Sequence, residues 1–261
     1  MTPEEEQQTS SAPEQPLMAH LLELRDRILK MVFGVAIAFA PLAYFSKEVY
    51  ALVADPLMKL MPPGTSMIAT EVASPFFAPL KLSMILGVAL SMPWTLFQLW
   101  AFVAPGLYKS ERRLVTPLLF SSTMLFYAGM AMAYFLVLPT VFKFLISVAP
   151  EGVAVMTDIN KYLNFVLAIF LAFGIAFETP VAIVLLIHTG FVTPKQLRES
   201  RGYVLVGCFV VAAVLTPPDV VSQFLLAVPT YVLYEIGIIA GQWLTPGTKE
   251  VEAQQQLAER K

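Results

Sequence analysis

Residues 161–195 read KYLNFVLAIFLAFGIAFETPVAIVLLIHTGFVTPK, and between the two terminal lysines the stretch carries one formal charge, Glu178. Crossing a hydrocarbon core about 30 Å thick takes about 20 residues of helix, so this run predicts a membrane span with an ionisable acid inside it. An acid near the middle of a span costs roughly 2.5–3.5 kcal/mol on insertion scales, and such residues face a polar cavity or a partner rather than lipid. In Phe177-Glu178-Thr179-Pro180 the acid sits beside a proline, which kinks a helix and frees a carbonyl. Two readings of Glu178 stand: a protonated acid hydrogen-bonded to a neighbouring helix for packing, or a functional acid facing a cavity.

The rest of the chain has the same character. Of 261 residues, 57% are hydrophobic and only 14% charged, which excludes an ordinary soluble domain. Charge-poor stretches near 28–46, 80–104, 114–138, 162–188, 203–216 and 220–240 predict an all-α integral membrane protein with six transmembrane helices. Residues 20–241 form that domain, between a flexible acidic arm (1–19) and a polar tail (242–261). Between Arg201 and Lys249 the only charges are Asp219 and Glu235, and Pro217-Pro218 folds the fifth and sixth spans into a tight hairpin. A fifth helix of about 14 residues reaches only about 21 Å, so local thinning of the bilayer or water beside the hairpin is expected.

Basic residues set the orientation. Twelve (Arg25, Arg27, Lys30, Lys109, Arg112, Arg113, Lys195, Arg198, Arg201, Lys249, Arg260, Lys261) fall on one side and five (Lys47, Lys59, Lys81, Lys143, Lys161) on the other. That places both termini in the cytoplasm. No cleavable signal peptide is expected, since the first apolar run starts only near Ile28. On the outer side, Val49, Leu52, Val53, Leu57 and Leu60 recur at mostly helical spacing and predict an interfacial helix that Pro56 interrupts. The lone Cys208 excludes an intramolecular disulfide.

Polar residues outside the lipid run offer a second set of candidates. Glu23 and Arg27 stand four apart in the favourable order, on a helical stripe with His20, so they pair on a solvated face or serve as binding groups. Ser110 and Glu111 suit the cap and first turn of the third span, where a negative charge opposes the helix dipole. Alternatively, Glu23 and Glu111 are two carboxylates at the cytoplasmic surface that accept guanidinium groups. Asp219 suits the cap of the sixth helix, Gln223 lies one turn into it, and Glu235 lies near its cytoplasmic end. Nucleophile, metal and phosphate-loop motifs are absent, so no catalysis, metal, cofactor or nucleic-acid partner is expected. A secondary transporter using Glu178 as a carboxylate relay is the alternative, although no inverted repeat is visible.

Several short runs, in order, carry a resemblance. They are His20-Leu21-Leu22-Glu23-Leu24-Arg25, Thr70-Glu71-Val72-Ala73-Ser74-Pro75-Phe76-Phe77, Trp100 to Arg113 and Ala149-Pro150-Glu151-Gly152. Phe177-Glu178-Thr179-Pro180, Leu215-Thr216-Pro217-Pro218-Asp219, Ser222-Gln223 and Pro229 to Gly237 follow. From His20 to about Gly241 the chain resembles the TatC family, the receptor component of twin-arginine translocases. The resemblance implies a concave, glove-shaped bundle in the bacterial inner membrane that exports folded proteins with the proton-motive force. It implies that Glu23 and Glu111 bind the arginines of twin-arginine signal peptides, with His20, Arg25 and Arg113 in the recognition surface. Glu178, Gln223, Thr216 and Glu235 become the intramembrane and partner-contact residues, and Pro217, Pro218 and Asp219 the periplasmic hairpin. The implied partners are the single-span subunits TatA and TatB, further TatC copies and membrane lipid.

Overall fold

A computed structural model describes residues 14–59, 66–103, 112–148, 150, 156–215 and 220–244. They form helices α1 (Glu14–Tyr44), α2 (Ser46–Met58), α3 (Ser74–Leu90), α4 (Met92–Val103), α5 (Arg112–Met132) and α6 (Leu138–Ser147), with a π-helical turn over Ala133–Val137 between the last two. Next come α7 (Ile159–Phe177), α8 (Thr179–His188), α9 (Pro194–Glu199), α10 (Arg201–Leu215) and α11 (Val220–Leu244).

Among the described residues, four segments are long and apolar enough to cross a bilayer: Leu21–Tyr44, Thr116–Ser147, Ile159–His188 and Val220–Leu244. The pair α3 and α4 makes a fifth if its two pieces, bent by 50° at Ser91, count as one crossing. Helix α10 is apolar but has only 15 residues, about 22 Å of rise. Four or five crossings are thus visible by length and composition among the described residues, against the six expected, with α10 too short to count by the same measure. Several bounds differ from the hydropathy pattern. Helix α1 begins at Glu14, well before the apolar run that starts near Ile28, and the third crossing continues to Ser147.

Prolines explain much of the irregularity, because each lacks the N–H that would bond four residues back. Pro139 follows the π turn, in which Leu138 N–H reaches back to Ala133 O, a wider loop that accommodates the missing donor. Pro56 was expected to interrupt α2, and this is corrected: the helix runs through it to Met58. The carbonyl that Pro56 leaves without a partner, Leu52 O, accepts the Tyr134 hydroxyl at 2.8 Å. Tyr162 likewise donates to Val53 O at 2.8 Å, so α2 is fastened to both α7 and the π turn.

Helix α7 is the core of the bundle. Tyr162, Leu163, Val166, Ile169 and Phe173 are fully buried against α2, α3 and the π turn. Helix α1 packs on α3 and α4, α5 on α7, and α11 on α8 and α10. The α5–α7 crossing is close because glycines face it from both sides. A Cβ on Gly129 would lie 2.5 Å from the Phe173 carbonyl oxygen, and one on Gly174 would lie 2.5 Å from the Phe126 ring. Small residues at such crossings let backbones approach where no hydrophobic driving force between helices exists in lipid.

At the start of α7, Asp158 ties the preceding segments together. One carboxylate oxygen accepts Asn160 N–H and Lys161 N–H, both at 3.0 Å, capping the helix. The other accepts Thr70 Oγ1–H at 2.6 Å and Thr70 N–H at 3.0 Å. Asn160 Nδ2 then donates to Glu71 at 3.1 Å and to Ser74 Oγ at 2.5 Å. The Thr70-to-Ser74 part of a run singled out in the sequence therefore closes onto α7. The Thr70 hydroxyl and the surrounding N–H groups hold the Asp158 carboxyl well below its usual range, at about 2.

Candidate functional site

At the end of the bundle where α1 passes α4, Arg27 projects between the two helices. Its Nη2 lies 3.2 Å from Glu23 Oε1, the i,i+4 pair that the sequence spacing allows. Its Nη1 donates to Gln98 Oε1 at 3.1 Å. Gln98 is only 2% exposed, on the α4 face that meets α1 and opposite the one that carries Leu96 and Trp100, whereas Glu23 and Arg27 keep partial access to solvent. Trp94 Nε1 donates to Lys30 O at 2.9 Å and locks α4 against α1 one turn further on. Arg25 points elsewhere, into an exposed pair with Asp26 at 3.0 Å. Glu111 lies outside the described residues. His20 and Arg113 have helical backbones, and their side chains are outside the description.

Glu178 occupies the break between α7 and α8, the one residue between Phe177 and Thr179 that is not helical. The run that the sequence reads as one kinked span is a single apolar segment, Ile159–His188, built from two helices that meet at the acid, with Pro180 in the first turn of the second. Ser122, buried on α5, lies within hydrogen-bonding reach of the carboxyl. Its Oε1 is enclosed and meets no donor among the described residues. The close α5–α7 crossing makes this juxtaposition. Ser122 is one turn from Phe126, and Glu178 is one turn from Gly174, the two residues that touch. An acid so placed, with one oxygen held and one unclaimed, retains capacity for a donor from outside the chain.

Beside this break, α7, the start of α8, α10 and α11 line a half-open apolar cavity of about 780 Å³, bounded by Ala172, Ile175, Thr179, Gly207, Val211 and Tyr234. At its far end Arg201 pairs with Glu235 at 2.6 Å, and Tyr231 donates to the same carboxylate at 3.2 Å. Glu235 thus braces α10 to α11. Gln223 is half-buried in the first turn of α11. Thr216, Pro217, Pro218 and Asp219 lie outside the described residues.

The structure brings Glu23 together with Arg27 and Gln98, and Glu178 with Ser122. It keeps Arg25 apart from the first group and Glu235 in a pair of its own. Gln98 and Ser122 were not singled out from sequence: Gln98 is a lone amide in an apolar helix, and Ser122 is the middle of the polar run Ser121-Ser122-Thr123 in α5. Among the described residues no group of three or more histidines, cysteines or acids is placed to hold a metal ion.

The TatC family model, described as Sec-independent protein translocase protein, matches residues 19–229. The Sec-independent protein translocase protein TatC of Escherichia coli (strain K12) is 58% identical over 224 residues, spanning 86% of this chain and 87% of that protein. The protein of the same name from Azotobacter chroococcum mcd 1 is 58% identical over 231 residues, covering 88% and 91% of the two chains. A crystal structure of the twin arginine translocase receptor TatC superposes with a TM-score of 0.76 at 37% identity, over 87% of this chain and 99% of that one.

Proposed function

The chain belongs to the TatC family of Sec-independent protein translocase proteins, and from that premise we propose how its own residues perform the family's task. It is a multi-pass membrane protein, the receptor and organising subunit of the twin-arginine translocase, in export driven by the proton-motive force. It is not an enzyme.

In this reading the chain crosses the bacterial inner membrane six times, through α1, the bent α3–α4 pair, α5–α6, α7–α8, α10 and α11. The excess of Lys and Arg in alternate connections puts both termini in the cytoplasm. A signal peptide presents its two arginines to Glu23 and Glu111, with His20, Arg25 and Arg113 around them. Carboxylates suit this role because they accept a guanidinium through two parallel, charge-assisted hydrogen bonds. The apolar part of the signal then lies along the bundle past Glu178, whose unclaimed oxygen and neighbouring apolar cavity offer one polar contact in an otherwise greasy wall. TatA and TatB helices dock where α10 and α11, with Gln223 and Thr216, form the short hairpin at Pro217, Pro218 and Asp219. Further copies of the chain and membrane lipid complete the assembly, and the passage for cargo forms between subunits.

The observation that carries the reading is the partly exposed Glu23 carboxylate already holding a guanidinium, that of Arg27, at 3.2 Å. Site-specific cross-linking of a twin-arginine precursor to the stably inserted Glu23→Lys chain tests it. Loss of the cross-link is expected, and wild-type cross-linking removes Glu23 from the recognition role.

A further inference from the structure

We propose that Arg27 is a built-in guanidinium that occupies Glu23 in the resting receptor and is anchored there by Gln98, so that a signal arginine engages Glu23 only by displacing it. This rests on the reading of Glu23 as a recognition acid.

An i,i+4 pair on an exposed helix face shifts occupancy only about twofold, too little to matter alone. The contact to Gln98 changes that balance. The amide oxygen that accepts Arg27 Nη1 at 3.1 Å belongs to a residue 2% exposed, on a helix fixed against α1 by the Trp94–Lys30 hydrogen bond. Neither Gln98 nor its helix can follow the arginine outward. The planar guanidinium spans both acceptors because its donors point in different directions, a geometry that an ammonium group reproduces poorly. Arg27 is thus held over Glu23 by a contact that Glu23 does not make.

The grip on Glu23 itself is single and long, one nitrogen on Oε1 at 3.2 Å. An arriving guanidinium that takes both carboxylate oxygens makes the stronger contact and can replace it. The arrangement is an internal competitor, and its effect follows from the fraction of receptor with Glu23 vacant: every ligand's apparent affinity falls by the same factor. Arg27 and Gln98 therefore set a threshold for binding and leave the ranking of ligands unchanged. Weakly bound lysine-bearing or single-arginine segments drop below it.

The test uses the full chain in lipid nanodiscs and two synthetic signal peptides, one with Arg-Arg and one with Lys-Lys, measured by fluorescence anisotropy. Arg27→Gln should tighten both peptides by the same factor, about three- to tenfold. Gln98→Leu, which frees the guanidinium without altering α1, should act in the same direction and less strongly. Arg27→Lys should fall between wild type and Arg27→Gln. Unchanged or weaker binding in Arg27→Gln, while Glu23→Gln still loses the Arg-Arg peptide, overturns the inference and leaves the recognition role of Glu23 intact. Tightening confined to the Arg-Arg peptide also overturns it, since that marks a selectivity contact rather than a competitor. If Glu23→Gln leaves binding unchanged, the recognition reading itself has failed.

Discussion

The Tyr134 hydroxyl donates at 2.8 Å to Leu52 O, the carbonyl left without a helical partner by Pro56 four residues on. A side chain from the π turn thereby completes the hydrogen bonding of a helix 82 positions away in sequence. Tyr134→Phe removes only the donor and is expected to cost about 1 kcal/mol. Thermal denaturation of the purified chain should show a small drop in Tm. The same substitution made together with Pro56→Ala, which restores the backbone donor, should show a smaller drop than either change alone suggests.

The Gly129–Phe173 contact allows no side chain at the α5–α7 crossing. Gly129→Val is expected to destabilise the bundle by about 1–3 kcal/mol through overpacking. It should also move Ser122 away from Glu178, so that a cysteine cross-link between positions 122 and 178 forms in the parent chain and not in the variant.

The Asp158 clasp has a defined pH range. Its folded pKa, about 2, lies below the ordinary carboxylate value of 3.8. A depressed pKa means that the charged form is favoured by the fold, so the stabilisation is fully present above the ordinary value and disappears as pH falls through about 2. Hydrogen exchange at the Thr70, Asn160 and Lys161 amides should stay slow at neutral pH and accelerate only below about pH 4. Asp158→Asn should lose most of that protection at every pH.

Glu178→Ala is expected to leave Arg-Arg peptide binding at the rim intact and to weaken cross-links from the apolar part of the signal, or from partner helices, to α7 and α8. Cross-linking from matched positions in wild type and variant checks this. Unchanged deep cross-links and unchanged export would reduce Glu178 to a packing role with Ser122.

Local patterns made much of the architecture visible in the sequence. The apolar run around Glu178, the short stretch after Arg201 and the helical spacing from Val49 to Leu57 all correspond to observed helices, because burial in lipid or at its surface follows composition directly. The Glu23–Arg27 pair was equally legible, since i,i+4 spacing fixes proximity on one helix. What escaped is what depends on distant chain segments. Gln98 reads as one more residue of an apolar helix until α1 is laid beside α4. Ser122 gains meaning only through the Gly129 and Gly174 crossing. Asp158 had no visible partner, as Thr70 lies 88 positions earlier. Pro56 looked like a helix breaker because the Tyr134 hydroxyl that compensates for it comes from another crossing.

The central claim is that cytoplasmic carboxylates read paired guanidinium groups. Its most direct test is equilibrium binding of Arg-Arg and Lys-Lys signal peptides to the full chain in nanodiscs, in parent form and as Glu23→Gln, Glu111→Gln and the double variant. The account predicts tight binding of the Arg-Arg peptide to the parent, at least tenfold weaker binding of the Lys-Lys peptide (about 1.4 kcal/mol), and loss of that discrimination in the double variant. Undiminished discrimination by a stably folded double variant would contradict it.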